Sequence, residues 1–301
     1  MDFITAAKSL CPEEIRSDEP LKGRTTAGLG GRAAYFAEVK SLYSLNVLTD
    51  LARQKKLPFR IIGHGSNILV SDKGFKGLVV SVAKLTEMFL KKDGVHAACG
   101  VPLSALYRFA LKNKLSGAEE LADIPGTVGG AVKMNAGAFG KSISDNLVFA
   151  ETLYKGKVLR RDKSDLKFGY RKSGIRKGET VLSATFSFLP SSVNEIEKRK
   201  RECSEKRRLS QPAGRGFGSV FRNPDCGKNK KLYAAELIDG AGLKGYSVGG
   251  ASVSFKHANF FVLEQNATAT DVYNLIGYIK TRVKDEFGIT LKEEVEYVGE
   301  F

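Results

Sequence analysis

The 301-residue sequence has no apolar run long enough to span a bilayer, because charged residues interrupt its apolar stretches. A membrane-spanning helix needs roughly 18 consecutive apolar residues, so we expect no membrane insertion. Residues 1–17 carry acidic side chains and lack a long apolar core, which argues against a secretory signal. With 27% charged and 42% hydrophobic residues, the chain has the composition of packed globular domains. We therefore expect a soluble, cytoplasmic protein.

Cysteine and histidine are scarce, with four and three residues respectively. The cysteines are far apart, at Cys11, Cys99, Cys203 and Cys226, and none forms a C-x-x-C pair. No combination of them with a histidine has the spacing of a zinc site. We interpret all four as reduced thiols and expect no metal ion.

Two glycine-rich segments stand out, and neither carries the fingerprint of a common nucleotide-binding loop. The first glycine stretch, residues 63–67, leads into the apolar strand Ile68–Val70, whereas the Rossmann fingerprint opens a helix. No Gly-Lys-Ser/Thr follows it, so a P-loop is excluded as well. The second glycine stretch, residues 124–140, has five glycines between positions 126 and 140. Glycine leaves backbone N–H groups uncovered, which suits a pyrophosphate, although an ordinary turn remains an alternative for the first stretch.

The charge of the chain indicates an anionic partner, because 48 Lys and Arg against 33 Asp and Glu give a formal net charge of +15. Part of it lies in Lys198–Arg208, which holds seven basic and two acidic residues. This run has no aromatic residue on which a base could stack. It falls in a helix predicted at 194–209, so a solvated helix face is the simpler interpretation. The remaining charge suits phosphorylated or carboxylated small molecules.

Hydrophobic periodicity divides the chain into three pieces of mixed helix and strand, so the predicted fold class is α+β. A last strand at 291–298 would place Glu293 and Glu294 on opposite faces, and alternation alone does not say which of them reaches a site. We predict strands at 34–39, 59–62, 68–70, 78–82 and 181–188, hairpins of 88–90 with 95–99 and of 147–154 with 157–161, and helices at 42–56, 103–115, 194–209 and 271–287.

Eight motifs, in their order along the chain, resemble the UDP-N-acetylenolpyruvoylglucosamine reductase family, flavoenzymes that complete UDP-N-acetylmuramate in bacterial peptidoglycan synthesis. The resemblance runs from about residue 24 to the C-terminus. The motifs are TTAGLGG at 25–31, GHGSNILVSDKGFKG at 63–77, GAEELADIPGTVGGAVKMNAGAFG at 117–140, FGYRKSG at 168–174, GSVFRNP at 218–224, AAELIDGAGLKG at 234–245, GGASVSFKHANFFV at 249–262 and LKEEVEYVG at 291–299.

The resemblance implies an FAD-binding fold of the vanillyl-alcohol-oxidase (PCMH) type in two subdomains, at residues 1–83 and 84–205. A C-terminal α+β substrate-binding domain is expected at 206–301, with a last strand able to pack back onto the FAD-binding part. The resemblance also implies FAD as the cofactor, NADPH as the hydride donor, and UDP-N-acetylglucosamine enolpyruvate as the substrate. We expect a bacterial cytoplasmic enzyme that works as a monomer and binds no nucleic acid.

Residue by residue, the resemblance assigns the catalytic roles to Arg171, Ser219 and Glu294. Hydride addition to an enolpyruvyl group drives negative charge onto its carboxylate, and groups aimed there lower the barrier most. Arg171 and a protonated Glu294 match those groups, and protonation needs a buried site. Ser219 occupies the position of the proton donor.

The same matching assigns contacts to the cofactor and the substrate. The chain departs from the family pattern at His64, where a smaller residue is common, and at 215–217, where a proline-containing approach is usual. The 47 residues 172–218 leave no room for the extra tyrosine-bearing loop of one branch, so we expect the branch without it. The expected FAD contacts are Gly63, His64, Gly65, Ser66, Asn67, Pro125, Gly126, Thr127, Gly129, Gly130, Asn135, Gly137 and Gly140. The expected substrate contacts are Tyr170, Arg215, Arg222 and Asn223.

Two alternative functions stay open. A different flavoenzyme of the same fold, an oxidase with another substrate, is compatible with the fold because fold does not imply function. A basic nucleic-acid-binding protein that uses Lys198–Arg208 predicts steeply salt-dependent binding to DNA or RNA and no bound flavin.

Overall fold

A computed structural model describes residues 2–11, 14–225 and 232–301, so Cys226 lies outside the described residues. No helix within these ranges is long and apolar enough to cross a membrane. The helices are α1 (Phe3–Leu10), α2 (Leu42–Gln54), α3 (Leu103–Lys112), α4 (Val128–Met134), α5 (Ile143–Asn146), α6 (Val193–Ser210), α7 (Ala234–Gly240) and α8 (Ala269–Phe287). The strands are β1 (Ile15–Pro20), β2 (Arg32–Glu38), β3 (Phe59–Ile62), β4 (Ile68–Val70), β5 (Phe75–Ser81), β6 (Met88–Lys91), β7 (Gly94–Ala98), β8 (Leu115–Ser116), β9 (Gly137–Ala138), β10 (Lys141–Ser142), β11 (Leu147–Tyr154), β12 (Lys157–Asp162), β13 (Thr180–Phe186), β14 (Leu189–Pro190), β15 (Ser247–Val248), β16 (Ala251–Val253), β17 (Phe261–Leu263) and β18 (Glu296–Val298).

The described residues divide into two compact units. Unit 1 comprises those of 1–18, 34–64 and 77–206, and unit 2 comprises those of 19–33, 65–76 and 207–301. Residues of the first predicted piece, 1–83, therefore occur in both units.

Helices α1 and α2 contribute to the first core of unit 1, together with a four-stranded sheet of order β1-β2-β5-β3. Strands β3 and β5 are parallel. Helix α2 begins after Ser41, whose hydroxyl accepts a hydrogen bond from the Ser44 N–H, as a preferred N-cap does. Leu45 and Leu48, three residues apart on one helix face, are fully buried in this core.

The second core of unit 1 covers a five-stranded sheet of order β12-β11-β13-β7-β6. Its strand pairs are antiparallel, and both predicted hairpins, β6 with β7 and β11 with β12, are confirmed. Helix α3 contributes Leu106, helix α4 contributes Val132, and α6 contributes Ile196 to this core. The sheet therefore carries α4, which contains part of the second glycine stretch.

Unit 2 contains the sheet β15-β16-β17 and the helices α7 and α8 around one core. Helix α8 has a capping box, in which Thr268 and Asp271 exchange hydrogen bonds, and it ends at Gly288 with φ +68°. Asp72 accepts three further hydrogen bonds at the start of α8, from the Ala269 and Thr270 N–H groups and the Thr270 hydroxyl, at 2.7 to 3.0 Å. The predicted helix at 271–287 is confirmed.

The last segment of unit 2 corrects one prediction. The continuous strand expected at 291–298 is wrong, since only Glu296–Val298 is a strand. Main-chain hydrogen bonds of 2.8 and 2.9 Å join residues 292–294 to residues 220–222, whereas β18 pairs in parallel with β4. The chain bends at 294–295 because its hydrogen-bond partner changes there, and Glu294 lies at this bend.

Candidate functional site

The start of α4 in the second glycine stretch is bound along residues 99–101 of unit 1. The Val128 and Gly129 N–H groups donate to the carbonyl oxygens of Val101 and Cys99, each at 2.9 Å. These two donors are therefore used within the protein and not by a pyrophosphate. Helix α4 is not predicted from the sequence, because glycine lowers helix propensity and the hydrogen bonds to Val101 and Cys99 cannot be inferred from the local sequence.

Gly63 and Thr127, both expected FAD contacts, are brought together in unit 1. A Cβ atom at Gly63 would lie 2.4 Å from Oγ1 and 2.9 Å from Cγ2 of Thr127, which is 3% exposed. Gly129 is also too closely packed for a side chain, because a Cβ atom added there would lie 2.8 Å from the Cβ atom of Cys99. Burial raises the pKa of the Cys99 thiol to about 12, so Cys99 is an unreactive thiol at neutral pH.

Gly130 and Gly140 leave open main chain in the second glycine stretch. Gly130 is exposed within α4, and the nearest heavy atom to a Cβ built there would be 3.8 Å away. At Gly140 no heavy atom lies within 4 Å. Packing does not exclude a side chain at Gly130, although glycine costs a helix about 1 kcal/mol relative to alanine. The open backbone fits the close approach of a ligand such as FAD.

Arg171 lies at the tip of a two-residue turn in unit 1. Gly169 and Lys172 exchange main-chain hydrogen bonds of 3.0 and 3.2 Å around Tyr170 and Arg171. Arg171 has φ +52°, a left-handed conformation that costs a residue with a Cβ about 1–2 kcal/mol. Tyr170 is 57% exposed, and its ring centroid lies 5.4 Å from the Arg171 guanidinium carbon.

The Arg171 turn is attached to the second glycine stretch. The Arg171 Nη2 group donates to the Gly137 carbonyl oxygen at 3.2 Å. The Asn135 side-chain amide donates to the Gly169 carbonyl oxygen at 2.9 Å. One predicted catalytic residue and several predicted FAD contacts are thus neighbours in unit 1.

Ser219 and Glu294 are neighbours in unit 2. The Glu294 N–H donates to the carbonyl oxygen of Val220 at 2.8 Å, directly after Ser219. The Asn67 side-chain amide donates to the Glu294 carbonyl oxygen at 2.9 Å. The Oε2 atom of Glu294 is shielded from solvent.

The structure distinguishes Glu293 from Glu294, the two adjacent carboxylates between which strand alternation did not choose. The Glu293 carboxylate accepts a 2.7 Å hydrogen bond from Lys280 Nζ, and the Tyr297 hydroxyl lies 3.4 Å away. Burial alone would raise the pKa of Glu293, but the Lys280 hydrogen bond and charge bring it below its usual value. Glu293 is therefore a charged, paired carboxylate, which suits a structural role.

The predicted substrate residues lie in unit 2, apart from Tyr170. Arg215 is exposed, and its Nη2 donates to the carbonyl oxygens of Leu263 and Glu264. Arg222 is half-buried, and its Nε is shielded from solvent without a hydrogen-bond acceptor among the described residues. Such a donor fits an anionic ligand. The Asn223 side chain accepts from the Ala234 N–H at 3.1 Å, which supports the start of α7.

The expected FAD contacts differ in exposure and in unit. Gly63, His64 and those at 125–140 belong to unit 1, and Gly65, Ser66 and Asn67 belong to unit 2. His64, Pro125, Gly130 and Gly140 are exposed; Gly63, Ser66, Asn67, Gly126, Gly129 and Gly137 are half-buried; Gly65, Thr127 and Asn135 are buried.

Helix α6, which contains the basic run Lys198–Arg208, is attached to unit 1 by its own basic residues. Lys200 Nζ forms a 2.9 Å ion pair with Asp123, and Arg199 donates to the Ser116 hydroxyl at 3.2 Å. Cys203 is buried on the same helix. Part of the basic run thus takes part in tertiary packing.

Two family models match the chain. The one described as the C-terminal domain of UDP-N-acetylenolpyruvoylglucosamine reductase matches residues 211–298. The one described as an FAD binding domain matches residues 33–160. Together they cover most of the chain, including the second glycine stretch and Ser219.

Curated relatives and a solved structure give the same result along the whole chain. A UDP-N-acetylenolpyruvoylglucosamine reductase of Caldanaerobacter subterraneus is 40% identical over 94% of this chain and 93% of its own. That of Staphylococcus aureus is 36% identical over 99% and 97%. The crystal structure of UDP-N-acetylenolpyruvylglucosamine reductase from Thermus caldophilus superposes with a TM-score of 0.79 at 33% identity, over 95% of this chain and 99% of that one.

Proposed function

Because the chain belongs to the UDP-N-acetylenolpyruvoylglucosamine reductase family, it is an FAD-dependent oxidoreductase of peptidoglycan precursor synthesis, and we propose that Arg171, Ser219 and Glu294 carry out its substrate reduction. The enzyme uses NADPH to reduce UDP-N-acetylglucosamine enolpyruvate to UDP-N-acetylmuramate. Its fold is α+β with an FAD-binding part of the vanillyl-alcohol-oxidase type. The observation that carries the assignment of residues is that Arg171 is bonded to the second glycine stretch, while Glu294 is bonded to Asn67 of the first.

The residues present fit the cofactor, given the open main chain at Gly130 and Gly140. We propose that FAD is held by the first glycine stretch and by Pro125, Gly126, Thr127, Gly129, Gly130, Gly137 and Gly140 of the second. Bound FAD supplies the chemistry of taking a hydride from NADPH and giving it to the alkene. The chain's part is to bind both substrates, to exclude water and to manage charge and protons.

Arg171 and Glu294 act on the carboxylate of the enolpyruvyl group. The hydride adds to the terminal vinyl carbon, and the electron pair of the double bond moves toward the carboxylate. A guanidinium and a neutral carboxylic acid that donate hydrogen bonds there stabilise this charge as it develops. To donate a hydrogen bond there, Glu294 must carry a proton, and we propose that it acts as the neutral acid; its Oε2 atom is shielded from solvent, which suits that form.

Ser219 supplies the proton that completes the reduction. Its hydroxyl proton goes to the ether carbon next to the carboxylate, which regenerates the carboxylate and leaves UDP-N-acetylmuramate. The serine oxygen then takes a proton from solvent when the product leaves. A serine hydroxyl is a weak acid, so the transfer depends on the basicity of the carbanion. Arg222 and Asn223, with Arg215 and Tyr170, are proposed to bind the nucleotide part of the substrate.

We propose that the chain is organised into FAD-binding subdomains at 1–83 and 84–205 and a substrate-binding domain at 206–301. The family model that matches 211–298 supports the last boundary. We also propose the branch without the extra tyrosine loop, a cytoplasmic location because NADPH is an intracellular reductant, and a monomer because one chain supplies every proposed catalytic group. Light scattering of the purified protein tests the last point.

The test of Ser219 is to measure the two half-reactions of a Ser219→Ala variant separately by stopped-flow absorbance of the flavin. Reduction by NADPH should be unchanged within about twofold, because no proton reaches substrate in that half. Reoxidation by the enolpyruvyl nucleotide should slow by about 10²–10⁴-fold. Equal slowing of both halves would contradict the proton-donor role. Fast reoxidation by oxygen without any response to the nucleotide would favour the oxidase alternative.

A matched pair of variants tests the choice of carboxylate. Glu294→Gln should slow reoxidation by orders of magnitude, because an amide cannot stabilise the developing charge as an acid does. Glu293→Gln, the same change one residue earlier, should be mild because the Glu293 carboxylate is engaged by Lys280 and Tyr297 within the protein. The opposite ranking of the two rates would show that Glu293 is the catalytic carboxylate.

A further inference from the structure

We infer that Asn135 is a positioning residue that holds the Arg171 turn against the second glycine stretch, an inference that rests on the proposed role of Arg171. The family resemblance places Asn135 among the FAD contacts. Its surroundings in unit 1 point to a different role, in which Asn135 acts on catalysis through Arg171.

Both ends of the Asn135 side-chain amide are used within the protein. The amide nitrogen donates to the Gly169 carbonyl oxygen at 2.9 Å, and the amide oxygen accepts from the Ser144 N–H at 3.4 Å. Asn135 is 8% exposed. Its amide therefore links the Arg171 turn to the first turn of α5.

The Arg171 turn needs such links because its conformation is strained. Arg171 has φ +52°, which is unfavourable for a residue with a Cβ and persists only where the surroundings enforce it. Alternate residues of the second glycine stretch supply the attachment points. Lys133 accepts from the Ser173 hydroxyl at 2.6 Å, Asn135 donates to Gly169, and Gly137 accepts from Arg171 at 3.2 Å. Of these three, only the Asn135 bond comes from a side chain of the stretch.

The backbone of Asn135 determines which variants are informative. Asn135 ends α4 with φ +46°, and asparagine and glycine tolerate this left-handed conformation better than other residues. Asn135→Gly therefore removes both hydrogen bonds and keeps the backbone, whereas alanine would add strain. Asn135→Asp keeps the acceptor for Ser144 and removes the donor to Gly169.

The experiment measures both half-reactions of the FAD-loaded variants by stopped-flow absorbance. In Asn135→Gly, FAD content, the flavin spectrum and the rate of reduction by NADPH should match the parent. Reoxidation by UDP-N-acetylglucosamine enolpyruvate should slow about 10–100-fold, because misplacement of a catalytic group by about 1 Å costs that much. Asn135→Asp should give the same split. Asn113→Gly, which removes the side-chain bond to Phe109 at the end of α3, is the control and should leave both rates unchanged.

A double variant separates this inference from the proposed function. In an Arg171→Ala background, Asn135→Gly should slow reoxidation no further, since Asn135 acts only through Arg171. Additive slowing would overturn the inference, as would loss of FAD, loss of folding, or equal slowing of both half-reactions in both Asn135 variants. If Arg171→Ala alone leaves reoxidation unchanged, the proposed role of Arg171 fails instead.

Discussion

Replacement of Gly63 by alanine tests whether the first glycine stretch is glycine-rich for reasons of packing. The new Cβ would lie 2.4 Å from Thr127 Oγ1 and 2.9 Å from its Cγ2. Ordinary contacts of a Cβ are about 3.5–4.0 Å, so the two segments must separate by roughly 1 Å. Thr127 cannot withdraw easily, because it is buried and pairs with Pro102, and the next N–H is bonded to Val101.

The expected magnitude follows from this overlap. Overpacking of a well-packed site costs about 1–3 kcal/mol, so Gly63→Ala should lower the free energy of unfolding of unit 1 by about 2 kcal/mol. Thr127→Ala removes both close atoms and leaves a 3.2 Å contact with its Cβ. This variant alone should cost about 1 kcal/mol. The double variant should be about as stable as Thr127→Ala, which corresponds to a coupling of about 2 kcal/mol.

The assay is thermal and urea unfolding of the four FAD-free proteins, followed by far-ultraviolet circular dichroism. For a domain of this size, 1 kcal/mol corresponds to about 2–4 °C in Tm. The affinity for FAD is then measured on the same proteins. If FAD also approaches Gly63, the double variant regains stability but not affinity. The packing argument is refuted if Gly63→Ala is as stable as the parent, or if the two substitutions are simply additive.

Two further predictions concern stability. The Glu179 side chain is fully buried, and its carboxylate lies 2.7 Å from the Arg161 guanidinium. Burial raises the pKa of this carboxylate, but the hydrogen bonds it accepts, including that of Arg161, lower the pKa by more, so the net shift is downward. The stabilisation by Glu179 is therefore present above its pKa in the unfolded chain, about 4.3, and is lost as the pH falls through its lower pKa in the folded protein. Glu179→Gln should lower the free energy of unfolding by about 1–3 kcal/mol at pH 7 and by less below pH ~4. Parallel curves of unfolding free energy against pH for the two proteins would contradict this. Asp72→Ala removes the three hydrogen bonds from Ala269 and Thr270 at the start of α8 and should destabilise unit 2 by about 1–2 kcal/mol in urea unfolding. The control Asp285→Ala, near the exposed end of α8, should change the stability by less than ~0.5 kcal/mol. Equal effects of the two variants would contradict the capping role of Asp72.

The prediction of regular elements succeeded where the determinants are local. Helix α8 has its capping residues, apolar stripe and terminal glycine within one continuous segment, and it was predicted nearly to its ends. The hairpins β6–β7 and β11–β12 are likewise short-range. Helix α4 was missed because its glycines oppose a helix and its supporting hydrogen bonds come from residues 99–101.

In the candidate site, too, local features were predicted and long-range contacts were not. The motifs around Arg171, Ser219 and Glu294 allowed these residues to be selected by resemblance to a family. Alternation could not choose between Glu293 and Glu294, because the choice depends on Lys280 of α8. The bond between Asn135 and Gly169 could not be anticipated either, because nothing in the local sequence of either residue indicates the other.

The sequence by itself determined the family, the chemistry and the local elements, because motifs, caps and periodicity act over a few residues. Only the tertiary structure decided that Thr127 excludes a side chain at Gly63, that Glu293 is paired, and that the last segment bends at Glu294. The physical reason is that steric exclusion, ion pairing and hydrogen-bond partners act through space between segments far apart in the chain. Which partner each segment meets is settled only when the whole chain has packed.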